Sequence, residues 1–348
     1  MADRVKGEQS RAEWVWEDAG VGARTARALL SPASMLFGAI VRARNALYTR
    51  HVLPVRAPRI PAVSIGNLSV GGTGKTPVSS WFALQLEARG AHPAIVMRGY
   101  GADEPLVHAR LAPAIPVVVN ANRLAGIERA ASQGADVAVL DDAFQHRAVA
   151  RVADVVLISA DALDANDRLL PSGPYREPPE ALRRASLVIV TRKAASLDRA
   201  RSVASRARRA APDVPVAIVH LALDVVHIGT GAPAPLASLR RRRVLAIAGV
   251  GNAAAFGEQL AQGGAVVRLR AYPDHYPFTV SDARSLAQSL DGDEIPICTL
   301  KDAVKLEPLW PREVAAIGYV SQAVIVEEQG SAIDAILDLV SHARLRQR

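Results

Sequence analysis

Short, mostly apolar runs recur along this chain, at Ala62–Ile65, Ala94–Met97, Val117–Val119, Val137–Leu140, Val155–Ile158 and Leu187–Val190, with helix-like stretches or loops between them. A strand apolar at nearly every position has both faces covered, which is the pattern of a parallel sheet sandwiched between helices. The fold class that follows is α/β. With 348 residues, 50% of them apolar, the chain can bury the core such a sheet needs, and its length favours two domains over one.

A second α/β unit begins near Val244, where strand-like Val244–Ile247, Val266–Leu269 and Ile295–Cys298 alternate with helical Asn252–Gln262 and Val280–Ser289. The chain thus divides into a basic and apolar N-terminal region, 1–58, closing in the proline-punctuated stretch Pro54–Pro61; a core domain, 59–224; and a smaller C-terminal α/β domain, 225–348. The boundary falls around Ala222–Pro235.

The strand Ile60–Ile65 leads to Ser69-Val70-Gly71-Gly72-Thr73-Gly74-Lys75-Thr76, and helix follows from about Thr76 to Ala88. Strand, glycine loop and helix form the context in which a phosphate loop works. Glycines let the backbone amides wrap phosphate oxygens, Lys75 reaches the β- and γ-phosphates, and the Thr76 hydroxyl holds Mg²⁺. Ser69 stands where the usual G-x-x-x-x-G-K-T pattern begins with glycine. Lys75 is one of only five lysines among 42 basic residues, so the Gly-Lys-Thr triplet is no by-product of composition. These features predict a nucleotide-binding core of the P-loop NTPase kind, with ATP as the nucleotide.

Asp141-Asp142 closes the run Val137–Leu140 and is followed by Phe144-Gln145-His146-Arg147. Phosphoryl transfer needs an acidic group near the metal, and the end of a neighbouring strand delivers one. Asp141 and Asp142 are therefore candidate metal ligands, with Asp142 also a catalytic candidate. Gln145 and His146 either orient nucleotide or metal-bound water or cap their loop. Arg176 and Glu177 follow a proline- and glycine-rich loop, where an arginine neutralises phosphate and a glutamate reaches the metal; a surface ion pair is the alternative from the residues alone. Asn67 and Arg98 sit at strand ends, where ligands gather in open parallel sheets, and are substrate-binding candidates.

Taken together the motifs resemble the tetraacyldisaccharide 4'-kinase family, over nearly the whole chain. The markers are Val63-Ser64-Ile65-Gly66-Asn67-Leu68 running into the glycine loop, Arg98-Gly99-Tyr100-Gly101, Asp103-Glu104-Pro105 and Leu140-Asp141-Asp142-Ala143-Phe144-Gln145-His146-Arg147. They continue with Leu169-Leu170-Pro171-Ser172-Gly173-Pro174-Tyr175-Arg176-Glu177-Pro178, Ala248-Gly249-Val250-Gly251-Asn252, Tyr272-Pro273-Asp274-His275-Tyr276 and Lys301-Asp302-Ala303-Val304-Lys305-Leu306. The resemblance implies two α/β/α domains with the active site in their cleft. It also implies Mg²⁺-dependent transfer of the ATP γ-phosphate to the 4'-hydroxyl of a tetraacylated glucosamine disaccharide 1-phosphate, forming lipid IVA in lipid A biosynthesis. It maps the general base onto Asp103 and that base's partner onto His275; by themselves these residues read as a loop acid and a turn residue. Two departures stand out: the β-hairpin usual before Gly-Asp-Glu-Pro is missing between Gly101 and Asp103, and Leu300 replaces the glutamate of Thr-Glu-Lys-Asp.

The formal charge of +8, with dense runs at Arg206–Arg209 and Arg240–Arg243, fits either a solvated arginine-rich surface or an anionic partner. No nucleic-acid module is recognisable and aromatics are sparse, which argues against nucleic acid; no obligate protein partner is expected. One cysteine, Cys298, excludes an intrachain disulfide and fits a reducing compartment. No signal peptide is read in the first twenty residues. Ala28–Val41 is largely apolar, interrupted by Pro32 and flanked by arginines, and is too short to span a bilayer. Two readings stand, a helix packed on the domain core or one lying among anionic headgroups; with the resemblance, the second places the chain at the cytoplasmic face of the bacterial inner membrane, peripheral or monotopic. Other phosphate-loop enzymes with Gly-Gly-x-Gly-Lys-Thr carry a signature lysine where Val70 stands, and no guanine-reading motif is found. A nucleotide-gated membrane adaptor would need no general base.

Overall fold

The computed structural model describes residues 11–99, 101, 103–162 and 167–346. The first ten residues of the N-terminal region, together with Tyr100 and Ala102 beside Asp103, lie outside the described residues. In chain order the elements are α1 (Arg11–Glu17), α2 (Val21–Thr49), β1 (Ala62–Asn67), α3 (Lys75–Ala88), β2 (Pro93–Met97), α4 (Glu104–Leu111), β3 (Val117–Val119), α5 (Arg123–Ser132), β4 (Val137–Asp141), β5 (Ala153–Ser159), β6 (Leu187–Arg192) and α6 (Leu197–Ala210). They continue with β7 (Val216–Ile228), β8 (Ala234–Pro235), β9 (Arg243–Ala248), α7 (Ala253–Gln262), β10 (Val266–Ala271), α8 (Val280–Gln288), β11 (Ile295–Thr299), α9 (Leu300–Leu306), β12 (Gly318–Glu328) and α10 (Gly330–Arg346).

Two compact units result, Arg11–His220 with Val326–Arg348, and Leu221–Ile325. In the first, the strand order is β7-β6-β5-β1-β4-β2-β3 and every neighbouring pair is parallel. β1 is buried at all six positions, as a strand covered on both faces must be. One face of this sheet packs Ile127 and Ala130 of α5 over Ala94, Val96 and Leu140 and, farther along the same face, Ala200, Val203 and Ala204 of α6 over Val188, Val190 and Ile218. The arginines of the 206–209 run point outward from α6. Because β1 lies between β5 and β4, neither its neighbour in sequence, the topological switch point stands at its carboxyl end, where α/β sheets bind ligands. In the second unit the order is β10-β9-β11-β12-β7, with β8 antiparallel on β7.

The strands run past their apolar stretches. Asn67 pairs with Leu157 and Ser159 with Thr191, so polar residues stay in register at the carboxyl ends. β1 opens at Ala62 and not Ile60, since Pro61 has no N–H to give the ladder. β7 overlaps the expected boundary at Ala222–Pro235: its polar His220, Asp224 and His227 hide a strand of 13 residues. The segment 326–348, expected in the C-terminal domain, belongs to the first unit, because α10 buries Ile333, Leu337 and Val340 there. Its Arg344 donates to the Gly90 carbonyl, and its Asp334 pairs with Arg89 at 2.7 Å.

α2 runs unbroken through Pro32 for 29 residues. Ala23, Arg27, Ser34, Gly38 and Val41 face the first unit, where the Ser34 and Ser172 hydroxyls meet at 2.7 Å. Leu29, Leu36, Ile40 and Leu47 form an exposed stripe at i, i+7, i+11 and i+18, on the opposite side. Leu29 is 77% exposed and Leu36 63%. No described helix is long and apolar enough to cross a membrane.

Candidate active site

The loop after β1 is shaped by backbone that side chains rarely adopt. Gly71 has φ 120°, and Gly74, with φ 83°, caps α3; both are conformations glycine takes without cost. At Gly66, a Cβ would stand 2.8 Å from the backbone nitrogen of Phe144, so β1 approaches the turn after β4 only because no side chain intervenes. Asn67 Nδ2 donates to Thr73 Oγ1 at 2.9 Å, and Thr191 Oγ1 donates to the Thr73 carbonyl at 2.9 Å. Lys193 Nζ reaches the Gly72 carbonyl at 3.1 Å. The segment 174–176 lies antiparallel to 68–70: Val70 N donates to Pro174 O at 2.8 Å and Arg176 N to Leu68 O at 2.6 Å. This pairing places Ser69 and Val70 in a fixed edge and brings Arg176 to the loop. Thr76 sits in the first turn of α3.

The two aspartates diverge. Asp142, at φ 49°, occupies the left-handed region that aspartate tolerates better than most residues, a strain of order 1–3 kcal/mol that clusters at functional sites. Its carboxylate accepts from Arg176 at 2.8 and 3.1 Å and lies 3.9 Å from Lys75 Nζ. Arg176 also donates to Asn67 Oδ1. Four residues singled out in the sequence, Asn67, Lys75, Asp142 and Arg176, therefore meet at one point. Asp141 is turned into the interior, accepting from Ser79 Oγ at 2.8 Å and facing His108 Nε2 at 3.3 Å. Burial pushes its pKa up, but the His108 hydrogen bond, the Lys75 ammonium and Ser79 outweigh that and hold it below the usual carboxylate range.

A Mg²⁺ ion in phosphoryl transfer needs only one or two protein carboxylates besides phosphate oxygens. Among the described residues no cluster of three or more His, Cys, Asp or Glu side chains stands ready for a metal. Oxygen donors of the right kind are present: Gln145 Nε2 donates to the Asn67 carbonyl at 2.9 Å while its Oε1 is buried without a hydrogen-bond partner. Gln145 Oε1, the Thr76 hydroxyl and Asp142 fit a hard cation. Glu177, expected as a metal ligand, is engaged elsewhere. It is 1% exposed and accepts from Arg184 at 2.9 and 3.1 Å and from Asn45 of α2 at 2.6 Å. A carboxylate this deeply buried is held by its counter-charge, and this one ties α2 to the core.

Asp103 is buried at the N-cap of α4, yet its side chain does not cap that helix. Arg98 is exposed just past β2. His275 lies in the second unit, with φ 59° and its Nε2 2.9 Å from Lys301 Nζ, which also donates to Asp274 at 2.9 Å. Asp302 accepts from Gly249 N at 2.9 Å and Thr299 Oγ1 at 2.7 Å, joining two family motifs in one turn. Leu300 is buried at the start of α9. His108, Ser79 and Arg184 were not singled out in the sequence, because each lies on a helix a few residues past a motif and belongs to none.

Next to Gln145, burial and then the guanidinium groups of Arg123, Arg151, Arg44 and Arg98 hold the His146 pKa below its ordinary value. The folded protein thus binds a proton there more weakly than the unfolded chain does. The stabilisation is complete above about pH 6.5 and is lost as the pH falls from there through the lower folded value. Urea unfolding midpoints recorded from pH 7.5 to 5.5 should fall less steeply for His146→Gln than for the parent chain; equal slopes would show that His146 does not contribute.

Residues 26–341 match the family model for tetraacyldisaccharide-1-P 4'-kinase, LpxK. The tetraacyldisaccharide 4'-kinase of Anaeromyxobacter dehalogenans (strain 2CP-C) is 39% identical over 325 residues, covering 85% of this chain and 86% of that protein. The enzyme of the same name from Syntrophus aciditrophicus (strain SB) is 32% identical over 373 residues, covering 95% and 98%. Among solved structures, LpxK from Aquifex aeolicus in complex with ATP aligns with a TM-score of 0.71 and 26% identity, over 91% of this chain and 99% of that one.

Proposed function

From the premise that this chain belongs to the tetraacyldisaccharide 4'-kinase family and is a kinase, we propose that it transfers the γ-phosphate of ATP to the 4'-hydroxyl of tetraacyldisaccharide 1-phosphate. The observation that carries this reading is the meeting of Lys75, Arg176 and Asp142 beside a glycine loop at the sheet's switch point. Two cations held there by one carboxylate are poised to exchange it for phosphate oxygens, and neutralising phosphate charge is the larger part of phosphoryl-transfer catalysis.

Asp103 serves as general base for the sugar hydroxyl. Removing that proton as the oxygen attacks keeps positive charge from building on the nucleophile. The carboxylate is buried at the start of α4 and does not cap that helix. Thr76, Asp142 and Gln145 would hold Mg²⁺, which would supply charge neutralisation on the phosphates. Asp141 stays ionised within its hydrogen bonds and steadies the turn that presents Asp142. Asn67 fixes Arg176, and Arg98 is a substrate contact.

The acceptor is a lipid, and the exposed stripe of α2 gives the chain a means to meet it: an apolar face between arginines lies in the headgroup region of an anionic leaflet. On this reading the chain sits peripherally at the cytoplasmic face of the inner membrane. Burying a Leu or Ile side chain is worth roughly 1.5–3 kcal/mol, so Leu36→Ser with Ile40→Ser should weaken sedimentation with anionic phospholipid vesicles by a hundredfold or so. Unchanged sedimentation would remove α2 as the membrane contact. The reading as a whole is tested by ADP release from purified protein with and without tetraacyldisaccharide 1-phosphate in detergent. A lipid kinase releases ADP in proportion to acceptor; a nucleotide-gated adaptor releases it at a rate that ignores the lipid.

A further inference from the structure

His108 is the one fully buried histidine on α4, with 0% exposure, and none of the phosphate-transfer chemistry above uses it. Its two ring nitrogens face different elements: Nδ1 lies 2.8 Å from Ser80 Oγ on α3, and Nε2 lies 3.3 Å from Asp141 Oδ2 at the end of β4. Asp141's other oxygen accepts from Ser79, also on α3, and Arg123 of α5 donates to the Asp141 carbonyl at 3.1 Å. An ionised carboxylate only accepts, so Nε2 carries the proton, and in the neutral ring Nδ1 then accepts from the Ser80 hydroxyl. Every polar atom of the imidazole is thereby satisfied in a site without water access.

The geometry points to His108 as a positioning residue that locks α4, and with it Asp103 at the helix N-terminus, to the phosphate-loop helix α3 and to the Asp141-Asp142 turn. Asp103 precedes His108 by little more than one helical turn, and the Val107 amide donates back to the Asp103 carbonyl at 3.0 Å, so fixing His108 fixes the terminus. Asp142, the partner of Lys75 and Arg176, is covalently next to the carboxylate that His108 holds. One side chain therefore sets the relation between the proposed base and the proposed phosphate site, which matters because a displacement of about 1 Å in such a relation costs on the order of a hundredfold in rate. In its kinetic part this inference rests on the kinase reading.

Three variants separate positioning from packing. His108→Gln keeps a donor where Nε2 stood, His108→Asn keeps a polar atom only near Ser80, and His108→Leu keeps neither. The expectation for phosphate transfer is a kcat lowered on the order of tenfold or more in His108→Leu and His108→Asn, with KM for ATP within about twofold and His108→Gln restored to within a few-fold of the parent. A parent-like kcat in His108→Leu, or an equal fall in all three that follows thermal stability, overturns it. The tautomer is read independently of turnover from ¹⁵N-histidine spectra of the full chain, with the His108 signal assigned by its loss in His108→Gln. A ring protonated on Nε2 and bare on Nδ1 is expected; a ring protonated on Nδ1 overturns the proposal. If the parent chain transfers no phosphate, the kinase reading fails while the spectrum still decides the contact.

Discussion

Asp103→Ala should lower kcat for phosphate transfer by about 10²–10⁴-fold, the usual contribution of a positioned general base, while nucleotide binding stays within about twofold of the parent. The reason lies in how α4 begins. Asp103 stands at the N-cap but makes no capping bond there, so the substitution takes away a carboxylate without unravelling the helix. Asp103→Asn tests the same point with less change in volume. Equilibrium binding of a fluorescent ATP analogue, measured beside turnover, separates the outcomes: a variant that loses both has lost its fold or its phosphate site, and a variant that keeps both removes Asp103 from the chemistry. The nucleotide-gated adaptor predicts that last result.

The second large effect belongs to Lys75. Lys75→Ala removes one of the two cations at the phosphate site and leaves Asp142 with Arg176 alone. Loss of one preorganised donor to a developing anion costs about 3–4 kcal/mol, so kcat/KM for ATP should fall by a hundredfold to a thousandfold. Unlike Asp103→Ala, this change should also weaken ATP binding, because Lys75 meets phosphate in the ground state as well. Isothermal titration with ATP and Mg²⁺ checks that difference; undiminished affinity in Lys75→Ala would mean that the loop holds nucleotide in another way.

The sheet was legible because a strand covered on both faces leaves an uninterrupted apolar run, and β1 to β6 were found that way to within a residue or two at most ends. The pattern failed at β7, where His220, Asp224 and His227 interrupt it, and at α10, whose attachment to the first unit depends on α3 and not on anything local. In the site, the phosphate loop was legible from the conformational demands that only Gly-Gly-x-Gly meets. Asp141-Asp142 was legible as a pair, but its division of labour was not. Asp141 closes β4 while Asp142 lies just past it with a left-handed backbone, and only the fold shows that Asp141 points to Ser79 and His108 while Asp142 points to Lys75 and Arg176. Glu177 was misplaced for the same reason: Arg176 and Glu177 are adjacent, and the arginine that neutralises Glu177, Arg184, lies seven residues on with no motif to mark it. The N-terminal helix packs one face on the core, as one of its two readings had it, and leaves an apolar stripe bare on the other. His108 carried no signal at all, since a single histidine in a helix becomes meaningful only when Ser80 and Asp141 stand on either side of it.

The central claim is that the site built around Lys75, Asp142 and Arg176 passes phosphate to a lipid-borne sugar. Purified protein incubated with γ-labelled ATP, Mg²⁺ and tetraacyldisaccharide 1-phosphate in detergent tests it most directly. The account predicts label in the lipid fraction at the 4' position, dependent on Asp103. Intact ATP binding with no label in the lipid would contradict it.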